Sequence, residues 1–273
     1  SFIFSSVIFG STTPLPSIAI FPDHARLVKQ FVQTEHPELI GKEPSGVVDA
    51  LLAVGLWLEN SNKFVSGPLE DEDFLQHLQS LSLLSANNPS PSLRYAAHVL
   101  VSSILHAHPV DRLRLTFISD TLEDCPFESL KASAVTWLKE EIITASERKS
   151  ENIFSSTAAL AAAQPYLFPD ITELAGASDG ELIQALAESY PFNMAVSNFL
   201  YFIGGKGYEH VVPSGMTSVV EEIYLGPLRN AQARALASLG QGKEVDVVDG
   251  MVSELQLLGE SIALASSHSD HAA

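Results

Sequence analysis

The chain has 273 residues, enough for one large hydrophobic core or two smaller ones, and at 46% hydrophobic and 18% charged it has the composition of a folded protein. Fifteen Lys and Arg against 33 Asp and Glu give a formal charge of −18, which repels phosphate backbones and anionic lipid and argues against nucleic acid and membrane surfaces as partners. A single cysteine excludes an intrachain disulfide and any multi-cysteine zinc site, and with no Asn-x-Ser/Thr sequon present the expected location is the cytoplasm, with the nucleus as the alternative.

In chain order, "SFIFSSVIFG" is apolar but lacks the basic leading region of a signal peptide. It breaks into Ser, Thr and Pro far short of the ~20 apolar residues of a membrane span, so it is expected to be buried structure. A start at Ser1 instead of Met suggests a fragment of a longer chain. "SVIF" and "SIAIF", separated by the loop-like "GSTTPLP", are the only short-strand candidates. From residue 22 onward helical periodicity dominates. Helices are expected at about 22–34, 45–60, 69–86, 90–107, 110–123, 126–145, 151–163, 179–203 with a break at Pro191, 214–238 with an interruption near Gly226 and Pro227, and 243–265.

The clearest of these is "SPSLRYAAHVLVSSILHAHP". Ser90 suits an N-cap and Pro91 the first helical position, and Leu93, Ala96, Ala97, Leu100, Val101, Ile104 and Leu105 form one buried stripe before Pro109 ends it. The next two helices place Leu113, Phe117, Ile118 and Leu122, then Phe127, Leu130, Ala134, Trp137 and Leu138, inward. "YPFNMAVSNFLYFIGG" (190–205) carries no charge and reads as a central helix, apolar on all sides, with a greasy groove for a partner helix as the alternative. Such a series, joined by short links, predicts an all-α irregular α-solenoid of stacked antiparallel hairpins with degenerate HEAT-like units of ~40–47 residues. It is expected to be a single domain over 1–265, followed by a frayed tail at 266–273.

Catalytic signatures are sparse. "GASDG" (176–180) matches the nucleophile pattern G-x-S-x-G, but the residues before it read as helix, so Ser178 is expected to be a helix N-cap with Glu181 completing a capping box. "IGGKGYEH" (203–210) has Gly207, not Ser or Thr, after Lys206 and reads as a glycine-terminated helix instead of a phosphate loop. The nine histidines, including the pair His106 and His108 and the tail residues His268 and His271, show no metal-ligand spacing, and no metal or cofactor is expected. An enzyme with a site assembled from distant residues is the alternative to a scaffold.

Two acidic zones are candidates for a partner-facing surface. One holds Glu70, Asp71, Glu72 and Asp73, which also suit the first turn of a helix, where the helix dipole favours acids. The other, 151–205, has six acids and no Lys or Arg, and its candidates are Glu173, Asp179, Glu181 and Glu188. A basic partner segment would suit either zone.

Cys125 is read as the N-cap of a helix with Pro126 at the first position and Glu128 at the third, as in a capping box. The helix start favours a thiolate, whereas Glu123, Asp124 and Glu128 oppose it, so a structural residue and a redox-responsive thiol both stay open.

"LRYAAHVLVSSIL" followed by "TFISDTLEDCPFESLKASAVTWLKEEI", residues 93 to about 143, resembles the glomulin-like family that includes the fungal YAP-binding proteins, with a weaker echo in "VDALLAVGLWL" (48–58). The resemblance is one of packing pattern and carries over no site residue. It implies a HEAT-like, non-enzymatic adaptor. Fungal members bind a stress-responsive bZIP transcription factor and help its peroxide-driven oxidation, some act at kinetochores, and the animal relative binds the RING subunit of cullin ubiquitin ligases.

Overall fold

The computed structural model describes residues 18–32, 44–149, 151–240 and 246–269. The segment "SVIF", the first ten residues and the end of the tail lie outside them. Among the described residues the protein is all-α, and its only strand-like feature is an isolated parallel bridge between Phe21 and Val65. Two short backbone pairings, from Ile20 N–H to the Lys63 carbonyl and from Phe21 N–H to the Phe64 carbonyl, are what the β-like "SIAIF" becomes. No helix among the described residues is long and apolar enough to cross a membrane.

The chain divides into two compact units, Ser1–Pro109 and Val110–Ala273. The first contains α1 (Asp23–Phe31), α2 (Ser45–Asn60), α3 (Asp71–Asn87) and α4 (Pro91–Ala107). A link of three residues between α3 and α4 makes them an antiparallel hairpin, and α2 packs against both α1 and α4. Most of the predicted stripe on α4 is in place: Ala97, Leu100, Val101, Ile104 and Leu105 are buried, together with Val48, Leu52, Phe74, Leu78 and Leu81, whereas Leu93 and Ala96 in its first turns are only half-buried. Helix α2 approaches closely because Gly55 has no side chain. A Cβ there would sit 2.5 Å from the Leu100 Cδ2 and 2.8 Å from the His24 Cε1.

The second unit contains α5 (Asp111–Asp124), α6 (Glu128–Arg148), α7 (Thr157–Leu167), α8 (Asp179–Ile203), α9 (Met216–Val220), a π-helical turn (Glu221–Leu225), α10 (Gly226–Leu239) and α11 (Asp246–Ser269). Helix α8 is central, with α6, α10 and α11 packed on it, and buries Leu182, Leu186, Phe192, Val196, Phe199 and Ile203. The expectation of a central apolar helix thus holds. The expected break at Pro191 does not occur, and α8 runs from Asp179 to Ile203. An internal proline costs about 3 kcal/mol through its missing N–H and ring clash, and burial of Phe192 and Val196 just beyond it offsets that loss.

The predicted interruption near Gly226 and Pro227 is real and takes a specific form. Residues 221–225 make a π-turn in which the Gly226 N–H bonds the Glu221 carbonyl. Pro227 has no N–H to offer the carbonyl four residues back, that of Ile223. The backbone N–H of Ile171 takes that place at 3.1 Å and ties the Thr172–Gly176 3₁₀ turn to the helix.

Candidate functional site

Cys125 is not where the sequence suggests. It caps the C-terminal end of α5, and α6 begins three residues later at Glu128 with Phe127 as its N-cap residue. Cys125 and Phe127 both have extended backbones, so Pro126 lies in the link and not at a first helical position. The thiol is half-buried and donates to the Phe127 carbonyl, with Sγ 3.8 Å from the oxygen. Burial pushes its pKa up, the Phe127 backbone contact and Lys131 pull it down, and Glu128 adds to the rise. Burial, not a helix start or the acids Glu123 and Asp124, is thus the main influence on the thiol, and it favours the protonated form.

Cys125→Ser is accordingly expected to leave stability within about 0.5 kcal/mol of the parent, because a hydroxyl repeats the contact to Phe127. Alkylation of the native thiol should be no faster than that of a model thiol at neutral pH, as a labelling series against pH would read. Fast labelling below neutral pH would contradict this.

The link containing Cys125 opens onto a cleft. Pro126, Phe127, Glu128 and Ser129 form one wall, Ile171 and Leu174 a second, and Ala185, Glu188, Ser189 and Pro191 of α8 the third, around a volume of about 700 Å³. Its second wall is held by two devices. One is the Ile171–Ile223 backbone bond. The other is Arg234 of α10, which donates to Asp179 at 3.0 Å, to the Ala175 carbonyl at 3.1 Å and to the Ala177 carbonyl. Behind the third wall, Tyr224 donates to Asn193, Asn193 to Ser189 and Ser189 to the Ala185 carbonyl. This relay satisfies polar groups inside an apolar helix and fixes the α8 surface where it meets the cleft. Burial pushes the Tyr224 pKa up, which suits a structural hydroxyl.

The predicted acidic residues are all exposed, but they sit on separate units. Glu70, Asp71, Glu72 and Asp73 occupy the N-cap and first turn of α3. Asp179 is ion-paired with Arg234, and Glu181 closes the predicted capping box with Ser178. That box removes the G-x-S-x-G reading, since the Ser178 oxygen accepts from the Glu181 amide. Glu188 accepts from the neutral Gln184 amide and lines the cleft wall. Glu173 is exposed on the turn between Ile171 and Leu174.

Sequence reading misses a buried histidine pair in the first unit. His24 donates from Nε2 to the Leu51 carbonyl at 2.9 Å, while its Nδ1 and both nitrogens of His77 are buried without a hydrogen-bond partner. The rings meet edge to face at 5.2 Å, and Phe21 lies against His77 at 5.2 Å, so the pair is walled by rings and apolar groups. Burial, and secondarily the His24 charge, drives the His77 pKa down to about 3. The His24 pKa is also lowered, by burial, against the Leu51 contact.

Each histidine that stays neutral when folded but protonates when unfolded lowers stability as pH falls below about 6.5, by about 1.4 kcal/mol per pH unit. For His77 the loss continues down to its folded value of about 3. The unfolding midpoint between pH 7 and 5 is expected to fall less in His77→Phe than in the parent. Parallel curves would contradict this.

Among the described residues, no group of three or more His, Cys, Asp or Glu is placed to hold a metal ion. A family model described as "Uncharacterised protein family, YAP/Alf4/glomulin" matches residues 1–265, far beyond the stretch around Cys125 that carries the visible resemblance. The chain belongs to the YAP/Alf4/glomulin family. No curated protein matches it. Family membership makes this a non-enzymatic helical scaffold with a general protein-binding role, and the stacked helices of both units agree with that architecture.

Proposed function

We propose that the chain is an adaptor that binds a stress-responsive bZIP transcription factor and serves the oxidative-stress response, acting in the cytosol and nucleus. The observation that carries this reading is the YAP/Alf4/glomulin match over 1–265. The acidic balance of −18 supports it, because a bZIP factor carries a strongly basic segment. The half-buried Cys125, whose pKa burial raises, supports an adaptor that holds its partner over one that itself attacks peroxide.

The test is affinity capture of the tagged chain from cells with and without peroxide, with the bound proteins identified by mass spectrometry. Reproducible recovery of a bZIP factor, lost on competition with untagged chain, is the expected result. Recovery of a cullin RING subunit or a kinetochore component in its place would move the chain to another branch of the same family's roles and overturn the bZIP reading.

A further inference from the structure

The cleft beside Cys125 is lined mostly by apolar groups together with the carboxylates of Glu128 and Glu188, and the cations described near it are engaged. Phe127, Ile171 and Leu174 are only half-buried there and Pro191 is exposed. Lys131 lies 3.3 Å from Glu128, and Arg234 is held by Asp179 and two carbonyls. Glu188 has the neutral Gln184 amide as its neighbour.

The helix that leads into the cleft's lip adds further charge. Asp120, Glu123 and Asp124 lie in the last turns of α5, with no basic residue in its final turn, where the negative end of the helix dipole opposes them. Burial, and after it the neighbouring Asp124 and Glu123, raises the Asp120 pKa. The Tyr166 hydroxyl, bonded to Glu123, brings a neutral partner and no positive charge.

We propose that this cleft docks a basic amphipathic segment of a partner protein, its apolar side chains on Phe127, Ile171, Leu174 and Pro191 and its Lys or Arg residues toward Glu188 and the acidic end of α5. The proposal rests on the protein-binding reading above and adds to it a surface and the chemistry of its occupant. Charge complementarity selects the occupant: a cation there neutralises acids that the fold leaves repelling one another, whereas an acidic segment adds to that repulsion. The cleft, about 700 Å³ in volume, is broad and open, a shape that suits a segment laid along a surface.

The probe is a labelled helical peptide with Leu at i, i+3, i+4 and i+7 spacing and Lys elsewhere, compared by fluorescence anisotropy with the same peptide carrying Glu for Lys. The full chain is expected to bind the Lys peptide and not the Glu peptide. Charge reversal of the acids to which the proposal directs the cations, Glu123→Lys with Glu188→Lys, should weaken binding at least about tenfold. Leu174→Ser should weaken it comparably while keeping its salt dependence. The matched reversal in the other unit, Glu70→Lys with Asp73→Lys, should change affinity less than about twofold. Because all four acids are exposed, both reversals leave the fold in place to be compared.

Equal losses from the two reversals would mean that net charge alone attracts the peptide, and would overturn the proposal. So would failure of the Lys peptide to bind. Neither result touches the adaptor reading, which partner capture tests independently.

Discussion

Trp137→Ala is expected to destabilise the second unit by about 3–5 kcal/mol, the usual cost of deleting a large buried aromatic and leaving a cavity. Trp137 is fully buried on α6, and its ring lies 5.7 Å from that of Phe117 on α5. Leu138, Ile142 and Ala134 of the same helix are also sealed, so the space cannot be filled by a small shift. Chemical denaturation followed by circular dichroism reads the loss. An effect below about 1 kcal/mol would instead make Trp137 a surface anchor, and would remove the helix pairing on which the cleft's first wall stands.

The second large effect is expected at Arg114 and Glu141. The guanidinium of Arg114 on α5 makes two bonds to the carboxylate of Glu141 on α6, at 2.8 and 2.9 Å, and both residues are buried. Beside this pair lies the Phe154 ring, 5.5 Å from the guanidinium carbon. Arg114→Met alone is expected to cost about 3–5 kcal/mol because it strands the Glu141 charge. Adding Glu141→Leu should recover most of that loss, since two packed apolar groups replace two desolvated charges. A urea titration of the parent, both single variants and the double variant gives the coupling. A double variant as unstable as the sum of the singles would contradict this account.

The helices are legible in the sequence because their signals are local. The α4 stripe from Ala97 to Leu105, the Ser178–Glu181 capping box and the acids in the first turn of α3 each follow from spacing within one or two turns. Proline is the less reliable guide. Pro126 looks like a helix start, yet the extended backbone at Phe127 delays α6 to Glu128. Pro191 looks like a break, and the packing of α8 overrides it.

The cleft is illegible for a different reason. Its walls come from 126–129, 171–174 and 185–191, and what unites them is a backbone bond from Ile171 to Ile223 and three contacts of Arg234. No period or motif in a single chain announces such a juxtaposition. Charge patterning does pick out Glu188, whereas helical spacing assigns Phe127 to the core and the structure places it in the cleft lining. The pair His24 and His77 leaves no mark in the spacing, because a histidine on an apolar face looks like any other, and only their burial against Gly55 and Phe21 shows what they are.

The central claim is that this chain binds a protein partner without performing chemistry on it. Its most direct test is a calorimetric titration of the purified chain with the proposed partner, a purified bZIP factor, followed by intact-mass measurement of both proteins. The account predicts saturable binding that weakens as salt rises, with both masses unchanged in the absence of peroxide. No heat of binding at any salt concentration, or a covalent change in the factor caused by the chain alone, would contradict it.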